Sequence, residues 1–399
     1  MFNKKTIHNA DLSGKRVLAR VDYNVPLNSA GEVMDDFRIK ASLPTLQYLV
    51  DNKCKITLIS HLGRPKGGRY EPQFSLRGVA ETLQTMVDTT VHFAGDLTGE
   101  VALRMSHDLG PGEILVLDNL RFHDGEAMND ERFASQLTAY GEIFVQDGFG
   151  VAHRKAASTD AITRLMPSYS GLLLEQEVSK ILEATQHPDR PLLAIIGGAK
   201  IDTKLDLLDE FIDIADEIVV GGAMANTFIH HAKFGGHNVG QSLVDDNEDE
   251  VISRIFNTLQ ECGKKFILPY RDVAVGYSTD DENRREIDHK DVQDGDMILD
   301  FGRGSLDWVI EAINRASTII WNGPLGYFEN PSFSYGSSTV AQAISESDAY
   351  SVVGGGDTDE LLSELNLKEK FNHVSTGGGA ALELLAGKKL PGVEALLDK

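Results

Sequence analysis

Cations are scarce in this chain of 399 residues, where 38 lysines and arginines face 61 acidic side chains for a formal charge of −23. Their positions are therefore informative. In the first half, Arg20-Val21-Asp22-Tyr23-Asn24, Ser60-His61-Leu62-Gly63-Arg64, Arg121 and His153-Arg154 each come after a short apolar run, and Arg38 lies beyond the first of them. Converging guanidinium groups suit an anion with two negatively charged ends, because the arginine fork holds carboxylate and phosphate through paired hydrogen bonds. Asp22 and Asn24 can orient an arginine or accept a substrate hydroxyl. Any one of these arginines alone could instead cap a loop or pair with an acid. Four of them at the ends of apolar runs, in a stretch close to neutral, read as a binding surface.

The second half carries different chemistry. Four apolar runs close in glycine clusters: Gly197-Gly198, Gly221-Gly222, Gly354-Gly355-Gly356 and Gly377-Gly378-Gly379. Each cluster precedes a plausible helix start, where backbone N–H groups and the helix dipole favour phosphate. Lys200 follows Gly197-Gly198-Ala199, and Lys204 comes four residues later on the same helical face. Such a pair suits transferring phosphoryl oxygens; the competing reading is two surface lysines. Asp357, directly after Gly356, fits two roles equally: a ligand of Mg²⁺, which needs one or two carboxylates plus phosphate oxygens, or a helix N-cap.

Other chemistries lack their signatures. There is no G-x-x-x-x-G-K-[ST] and no G-x-G-x-x-G, which removes the P-loop and disfavours the dinucleotide fingerprint. No G-x-S-x-G elbow occurs. Two cysteines and no paired histidine spacing argue against a zinc or iron–sulfur site. Residues 1–190 hold 21 basic and 25 acidic side chains, and residues 191–399 hold 17 and 36. Neither half has the basic stripe of a nucleic-acid binder. No apolar run approaches the roughly 18–20 residues of a membrane helix. The start has no apolar signal segment, so the expectation is a cytoplasmic protein with reduced thiols.

The elements that position these residues follow from periodicity. Short β-branched runs at Val17-Leu18-Ala19, Ile56 to Ile59, Ile114 to Leu117 and Ile143 to Val145 look like buried parallel strands. Ser42 to Leu49 has helical spacing between two of them. Alternating strands and helices imply an α/β fold with parallel sheets, where ligands sit at the carboxyl ends of the strands. The length suggests about two domains. Leu172 to Gln186, stopping at His187-Pro188, reads as a helix connecting them. The expected division is residues 1–171, a connecting helix at 172–187, and a second domain at 188–385.

In this order along the chain, the motifs resemble one family over essentially its whole length: phosphoglycerate kinase. They are Arg20-Val21-Asp22-Tyr23-Asn24-Val25-Pro26, Arg38-Ile39, Ser60-His61-Leu62-Gly63-Arg64-Pro65, Asn119-Leu120-Arg121-Phe122, Phe149-Gly150-Val151-Ala152-His153-Arg154, Gly197-Gly198-Ala199-Lys200, Trp321-Asn322-Gly323-Pro324, Gly354-Gly355-Gly356-Asp357-Thr358 and Ser375-Thr376-Gly377-Gly378-Gly379-Ala380. The resemblance implies two Rossmann-like parallel-sheet domains facing an interdomain cleft and joined by a helix, with residues 386–399 returning to the first domain. It implies reversible phosphoryl transfer from 1,3-bisphosphoglycerate to ADP, giving 3-phosphoglycerate and ATP, by a cytoplasmic monomer with Mg²⁺.

By the same resemblance, residues 1–171 bind phosphoglycerate through Asp22, Tyr23, Asn24, Arg38, His61, Leu62, Gly63, Arg64, Arg121 and Arg154. Residues 188–385 bind the nucleotide through Gly198, Ala199, Lys204, Asn322, Glu329 and Gly354, Gly355, Gly356, Asp357 and Thr358, with Asp357 on the metal. Arg38, Lys200 and the N–H groups of Gly377, Gly378 and Gly379 serve the transferring group. No general base is expected, since both nucleophiles, a phosphate oxygen and a carboxylate, are already ionised at pH 7. The chain departs from the family at Arg303-Gly304, at Lys155-Ala156 and at Gly148. The alternatives are another ATP-dependent small-acid kinase or ligase on the same scaffold, and a catalytically silent binding module.

Overall fold

The apolar runs of the first half are strands buried on both faces. In the computed structural model, β1 (Arg16–Arg20), β2 (Lys55–Ile59), β3 (Val91–Ala94), β4 (Ile114–Leu117), β5 (Ile143–Gln146) and β6 (Ser168–Ser170) form one sheet, ordered β3-β4-β2-β1-β5-β6 and parallel throughout. Val17, Ile56, Ile114 and Val145 point into one core layer, and Leu18, Leu115, Leu117 and Phe144 into the other. Side chains alternate between faces along a strand, so two covered faces demand an unbroken apolar run. Helices α1 (Phe37–Asp51) and α2 (Arg77–Gln84) cover the first layer; α3 (Glu100–Asp108) and α4 (Glu131–Leu137) cover the second.

The described residues are 2–66, 68–199, 201, 204–245 and 249–399. They divide into two units: the chain up to Ser179 with Lys389–Lys399, and Lys180–Lys388. α5 (Leu172–Gln186) runs from the first unit into the second. Three of its first N–H groups, which a helix cannot satisfy internally, have side-chain partners. Leu172 donates to Thr45 Oγ1 at 2.9 Å, and Leu173 and Leu174 donate to Asp147 Oδ1 at 3.0 and 3.3 Å. Gly171 is required there, because a Cβ would collide with the Asp147 carboxyl.

The second unit repeats the parallel arrangement. β7 (Leu192–Ile196), β8 (Glu217–Val220), β9 (Lys265–Ile267), β13 (Thr318–Asn322), β14 (Tyr350–Gly354) and β15 (His373–Val374) are ordered β15-β14-β13-β7-β8-β9. Its helices are α6 (Leu205–Ile214), α7 (Gly222–His230), α8 (Asp249–Cys262), α9 (Arg303–Arg315), α10 (Tyr335–Glu346), α11 (Gly356–Glu364) and α12 (Gly379–Leu385). β10 (Val273–Gly276), β11 (Arg285–Ile287) and β12 (Met297–Phe301) form a separate antiparallel sheet that periodicity does not reveal. α13 (Pro391–Glu394) belongs to the first unit, where the buried Lys4 ammonium donates to the Glu394 carbonyl and to Asp398, both at 2.8 Å.

Edge strands β3 and β9 escape the sequence reading because a half-covered edge carries polar residues such as His92 and Lys265, and β6 escapes it because its buried positions are Ser168 and Ser170. No helix among the described residues is long and apolar enough to cross a membrane.

Candidate functional site

In each large sheet the strand order reverses beside the first strand, β1 in one unit and β7 in the other. The carboxyl ends at such a switch point leave a crevice between diverging loops. Many of the described sequence-selected residues lie at these two ends, while Gly377, Gly378 and Gly379 follow the edge strand β15.

In the first unit, Arg20 ends β1 and is 1% exposed. Its Nη2 donates to His61 Nδ1 at 3.1 Å, and its Nε donates to Ser158 Oγ at 3.0 Å. His61 is therefore neutral and accepts at Nδ1. Burial comes first among the causes, with Arg20, Arg121 and Arg154 adding to it against Asp22, and together they hold its pKa well below the ordinary histidine value. Arg38 Nη1 donates to Asp22 Oδ2 at 2.9 Å. Burial opposes ionisation of Asp22, but Arg38 foremost, with Arg20 and the Asn24 N–H, outweighs it and leaves the carboxyl below its usual range. Asn24 Oδ1 accepts from the Gly63 N–H at 2.8 Å, and the Arg121 guanidinium donates to the Gly63 carbonyl. Asp22, Asn24, Arg38, His61, Gly63 and Arg121 thus form one connected group.

Beside this group lies a cavity of about 190 Å³ whose wall includes Arg20, His61, Arg121, Arg154, Lys155 and Glu126. Glu126, whose two oxygens accept from Ser158 (Oγ–H at 2.6 Å and N–H at 3.1 Å), offsets part of this cation set, which still outnumbers it. Burial, then Arg154, Arg20 and Arg64, lower the pKa of Arg121 against the opposing charge of Glu126. Such a site favours a multiply charged anion.

Two of the expected contacts turn inward instead. Tyr23 is fully buried with its hydroxyl 2.8 Å from Ser42 Oγ, so its ring is core. Leu62 is buried as well, and its backbone is fixed by Asn119, whose Oδ1 accepts from Leu62 N at 3.2 Å. Arg64 and Arg154 are exposed, and of the two Arg154 lines the cavity. The strand-end reading counts Arg20 among its four arginines, whereas the residue set implied by the resemblance omits it.

In the second unit, the Gly197 N–H donates to the Asn322 carbonyl at 2.9 Å, joining β7 to β13 at the switch point. A Cβ at Gly197 would strike the Pro324 carbonyl, so only glycine allows this approach. Lys204 Nζ donates to Asn322 Oδ1 at 2.7 Å, to the Asn322 carbonyl at 3.3 Å and to the Gly197 carbonyl. Burial pushes its pKa down to about 8, against the opposing attraction of Asp357. Asn322 Nδ2 donates to the Gly354 carbonyl at 3.0 Å, and Thr358 Oγ1 accepts from the Gly323 N–H at 2.8 Å. Asn322 and Thr358 are buried behind the wall and hold its turns.

The wall itself bounds a cavity of about 310 Å³. Gly198, Ala199, Glu329 and Asp357 line it, as the sequence reading grouped them. Its apolar surface, from Leu299, Phe301, Pro324 and Leu325, was not foreseen, because β12 comes from the small antiparallel sheet. Gly355 is the N-cap of α11, at a φ of 106°, and Asp357 sits in the first turn. The N-cap alternative for Asp357 is thereby removed. Gly378 caps α12 in the same way, and Gly377 N–H donates to Ser375 Oγ at 3.1 Å. Arg303 stands at the start of α9, over the Tyr335 ring. Lys200 lies outside the described residues.

A family model described as phosphoglycerate kinase matches residues 7–388. The phosphoglycerate kinase of Aquifex aeolicus is 42% identical over 401 residues, covering all of both chains, and that of Herpetosiphon aurantiacus is 41% identical over 398 with the same coverage. Among solved structures, phosphoglycerate kinase from Coxiella burnetii superposes with a TM-score of 0.88 at 34% identity, over 98% of each chain. The enzyme from Pyrococcus horikoshii gives 0.84 at 29% identity, also over 98% of each chain. With its strand-end cations, its glycine turns and these matches over its full length, the chain belongs to the phosphoglycerate kinase family.

Proposed function

We propose that the two switch points of this chain divide the family's reaction between them, the first unit holding the phosphoglycerate and the second the nucleotide. The chain is a phosphotransferase, and its reaction is reversible transfer from 1,3-bisphosphoglycerate to ADP, giving 3-phosphoglycerate and ATP. The observation that carries the division is the cavity of the first unit, where Arg20, Arg121, Arg154 and Lys155 line one space against a single lining carboxylate, Glu126. The mostly apolar cavity at β7 and β13 suits a nucleoside, with a glycine turn at its edge for phosphates.

In this reading Asp22, Asn24, Arg38, His61, Gly63, Arg64, Arg121 and Arg154 hold the acid. Arg38 and Lys200 neutralise charge on the transferring oxygens, joined by N–H groups of Gly377, Gly378 and Gly379. Gly198, Ala199, Lys204, Glu329 and Gly354, Gly355 and Gly356 serve the nucleotide, with Asn322 and Thr358 fixing the turns. Nothing needs deprotonating, so positioning and charge stabilisation supply the catalysis. Among the described residues no group of three or more side chains could ligate a metal. A single carboxylate, Asp357, suits Mg²⁺ that takes its remaining ligands from phosphate and water. When bound, Mg²⁺ neutralises charge on the phosphate oxygens. We assign the enzyme to the cytoplasm as a monomer, on its two cysteines and small-molecule chemistry.

A coupled assay with 3-phosphoglycerate and MgATP, against a metal-free control, tests the reading. Turnover that needs Mg²⁺ supports it; turnover only with another small acid moves the chain to a different kinase or ligase activity. Lys200→Ala should lower kcat roughly 10²–10³-fold with little change in either KM.

A further inference from the structure

We propose that Lys155 is a further binding residue for the acid substrate, supplying a positive charge to its phosphate end. The inference rests on the phosphoglycerate reading of the first unit and adds a residue to it. Lys155 lines the same cavity of about 190 Å³ as Arg20, Arg121 and Arg154. Its place there is held on both sides by one hydroxyl. Thr159 Oγ1–H donates to the Arg154 carbonyl at 2.7 Å, and the same oxygen accepts from the Ala156 N–H at 3.0 Å. The backbone on either side of Lys155 is thus tied down, while the side chain stays exposed at the cavity.

The charges around it define the ligand. Asp160 feels the Lys155 charge, but that carboxylate already accepts from Asn129 at 2.7 Å and pairs with Arg164 at 2.7 Å. Glu126 lies on the cavity wall, hydrogen-bonded to Ser158, and its charge acts on Arg20 and Arg121. Asp22 and Arg38 pair with one another, and the cations lining the cavity, Arg20, Arg121, Arg154 and Lys155, outnumber its lining carboxylate, Glu126. A phosphate monoester, close to a dianion at neutral pH, matches that excess better than a monovalent carboxylate does. A flexible ammonium at the edge contributes by Coulomb attraction through partly wet surroundings, so its effect is moderate and screened by salt.

The test uses the full-length enzyme in the coupled assay. Lys155→Met should raise KM for 3-phosphoglycerate about three- to tenfold at low ionic strength, leaving kcat within about twofold and KM for MgATP unchanged. Lys155→Arg should restore KM, and the difference between Lys155→Met and the parent should shrink in about 0.5 M salt. Arg121→Ala serves as the control for the reading beneath it. If Arg121→Ala raises KM for the acid and Lys155→Met does not, Lys155 has no such role and the site stands. If neither variant moves that KM, the assignment of the cavity to the acid substrate is wrong. Equal changes in both KM values, or no rescue by arginine, would overturn the proposal in favour of a loop-packing role.

Discussion

Lys204 Nζ lies 2.7 Å from Asn322 Oδ1, so the chain following β7 is pinned to the last residue of β13 at the point where the strand order reverses. The ammonium has three donors, and the Asn322 and Gly197 carbonyls take the others. To reach a phosphate oxygen Lys204 must release one of these partners. In the proposed nucleotide role it would exchange one of these turn contacts for the ligand.

Its pKa of about 8 gives this arrangement a pH signature. Below that value Lys204 is charged in both folded and unfolded chains. As pH rises from about 8 towards the ordinary lysine value of 10.5, the folded chain loses the proton while the unfolded chain keeps it, so the contribution of this group to stability improves. Nucleotide binding should respond in the opposite sense, because it needs the charge. MgATP affinity, measured by calorimetry, is expected to fall as pH rises through about 8 and to be flatter in Lys204→Met. Equal slopes in the two proteins would remove Lys204 from the nucleotide site.

Arg38 and Asp22 form a second coupled pair, at 2.9 Å. Arg38→Ala should lower kcat roughly 10²–10³-fold and raise KM for 3-phosphoglycerate. It also removes the foremost charge holding the Asp22 carboxyl below its usual range. A depressed carboxylate stabilises the fold above its unfolded pKa and loses that contribution as pH falls through the folded value. Acid unfolding of Arg38→Ala should therefore begin at a higher pH than in the parent protein, as followed by circular dichroism. A change in rate with an unshifted acid transition would dissociate the two roles.

Asp147 caps α5, and burial raises its pKa to about 7 despite help from Thr45, Leu174 and Leu173. Between about 4 and 7 the folded chain holds a proton that the unfolded chain has lost, so this group makes stability decline with rising pH. Asp147→Ala should cost about 1–2 kcal/mol, the usual worth of a helix cap. Asp147→Asn keeps an acceptor for the helix N–H groups and should cost less, with a shallower pH dependence in urea titrations over that window. Equal losses in both variants would mean that packing against Gly171, and not capping, sets the effect.

For Asp357, the first-turn position on α11 and the cavity behind it set the expectation. Asp357→Asn should raise the Mg²⁺ concentration needed for half-maximal rate by about tenfold. Binding of 3-phosphoglycerate without metal should not change. An unaltered Mg²⁺ requirement would leave the carboxylate with helix-dipole stabilisation only.

Much of this protein is determined locally. A strand covered on both faces has to be apolar at every position, so Ile114-Leu115-Val116-Leu117 and Ile143-Phe144-Val145 announce parallel strands without reference to the rest of the chain. A glycine cluster closing such a run marks a close backbone approach, and Gly355 and Gly378 do take up positive φ at helix starts. Arginines placed just beyond strands lie at the ligand edge of a parallel sheet whatever its strand order. That is why the cation set and the glycine set were legible.

What only the tertiary structure decided is which of those residues face the ligand space. Tyr23 and Asp22 are neighbours, yet Tyr23 turns into the core to meet Ser42 while Asp22 meets Arg38. Arg20 is buried on Ser158, 138 residues away, and Asn322 reaches Gly354 across a strand pairing. The small antiparallel sheet that lends Leu299 and Phe301 to the second cavity leaves no periodic trace beside it. Asp147 becomes a cap only because β5 ends beside the start of α5. Local sequence fixes the backbone preference of a few residues at a time. Burial and hydrogen-bond partnership depend on segments brought together from far along the chain, and those long-range contacts separate a binding side chain from a core one.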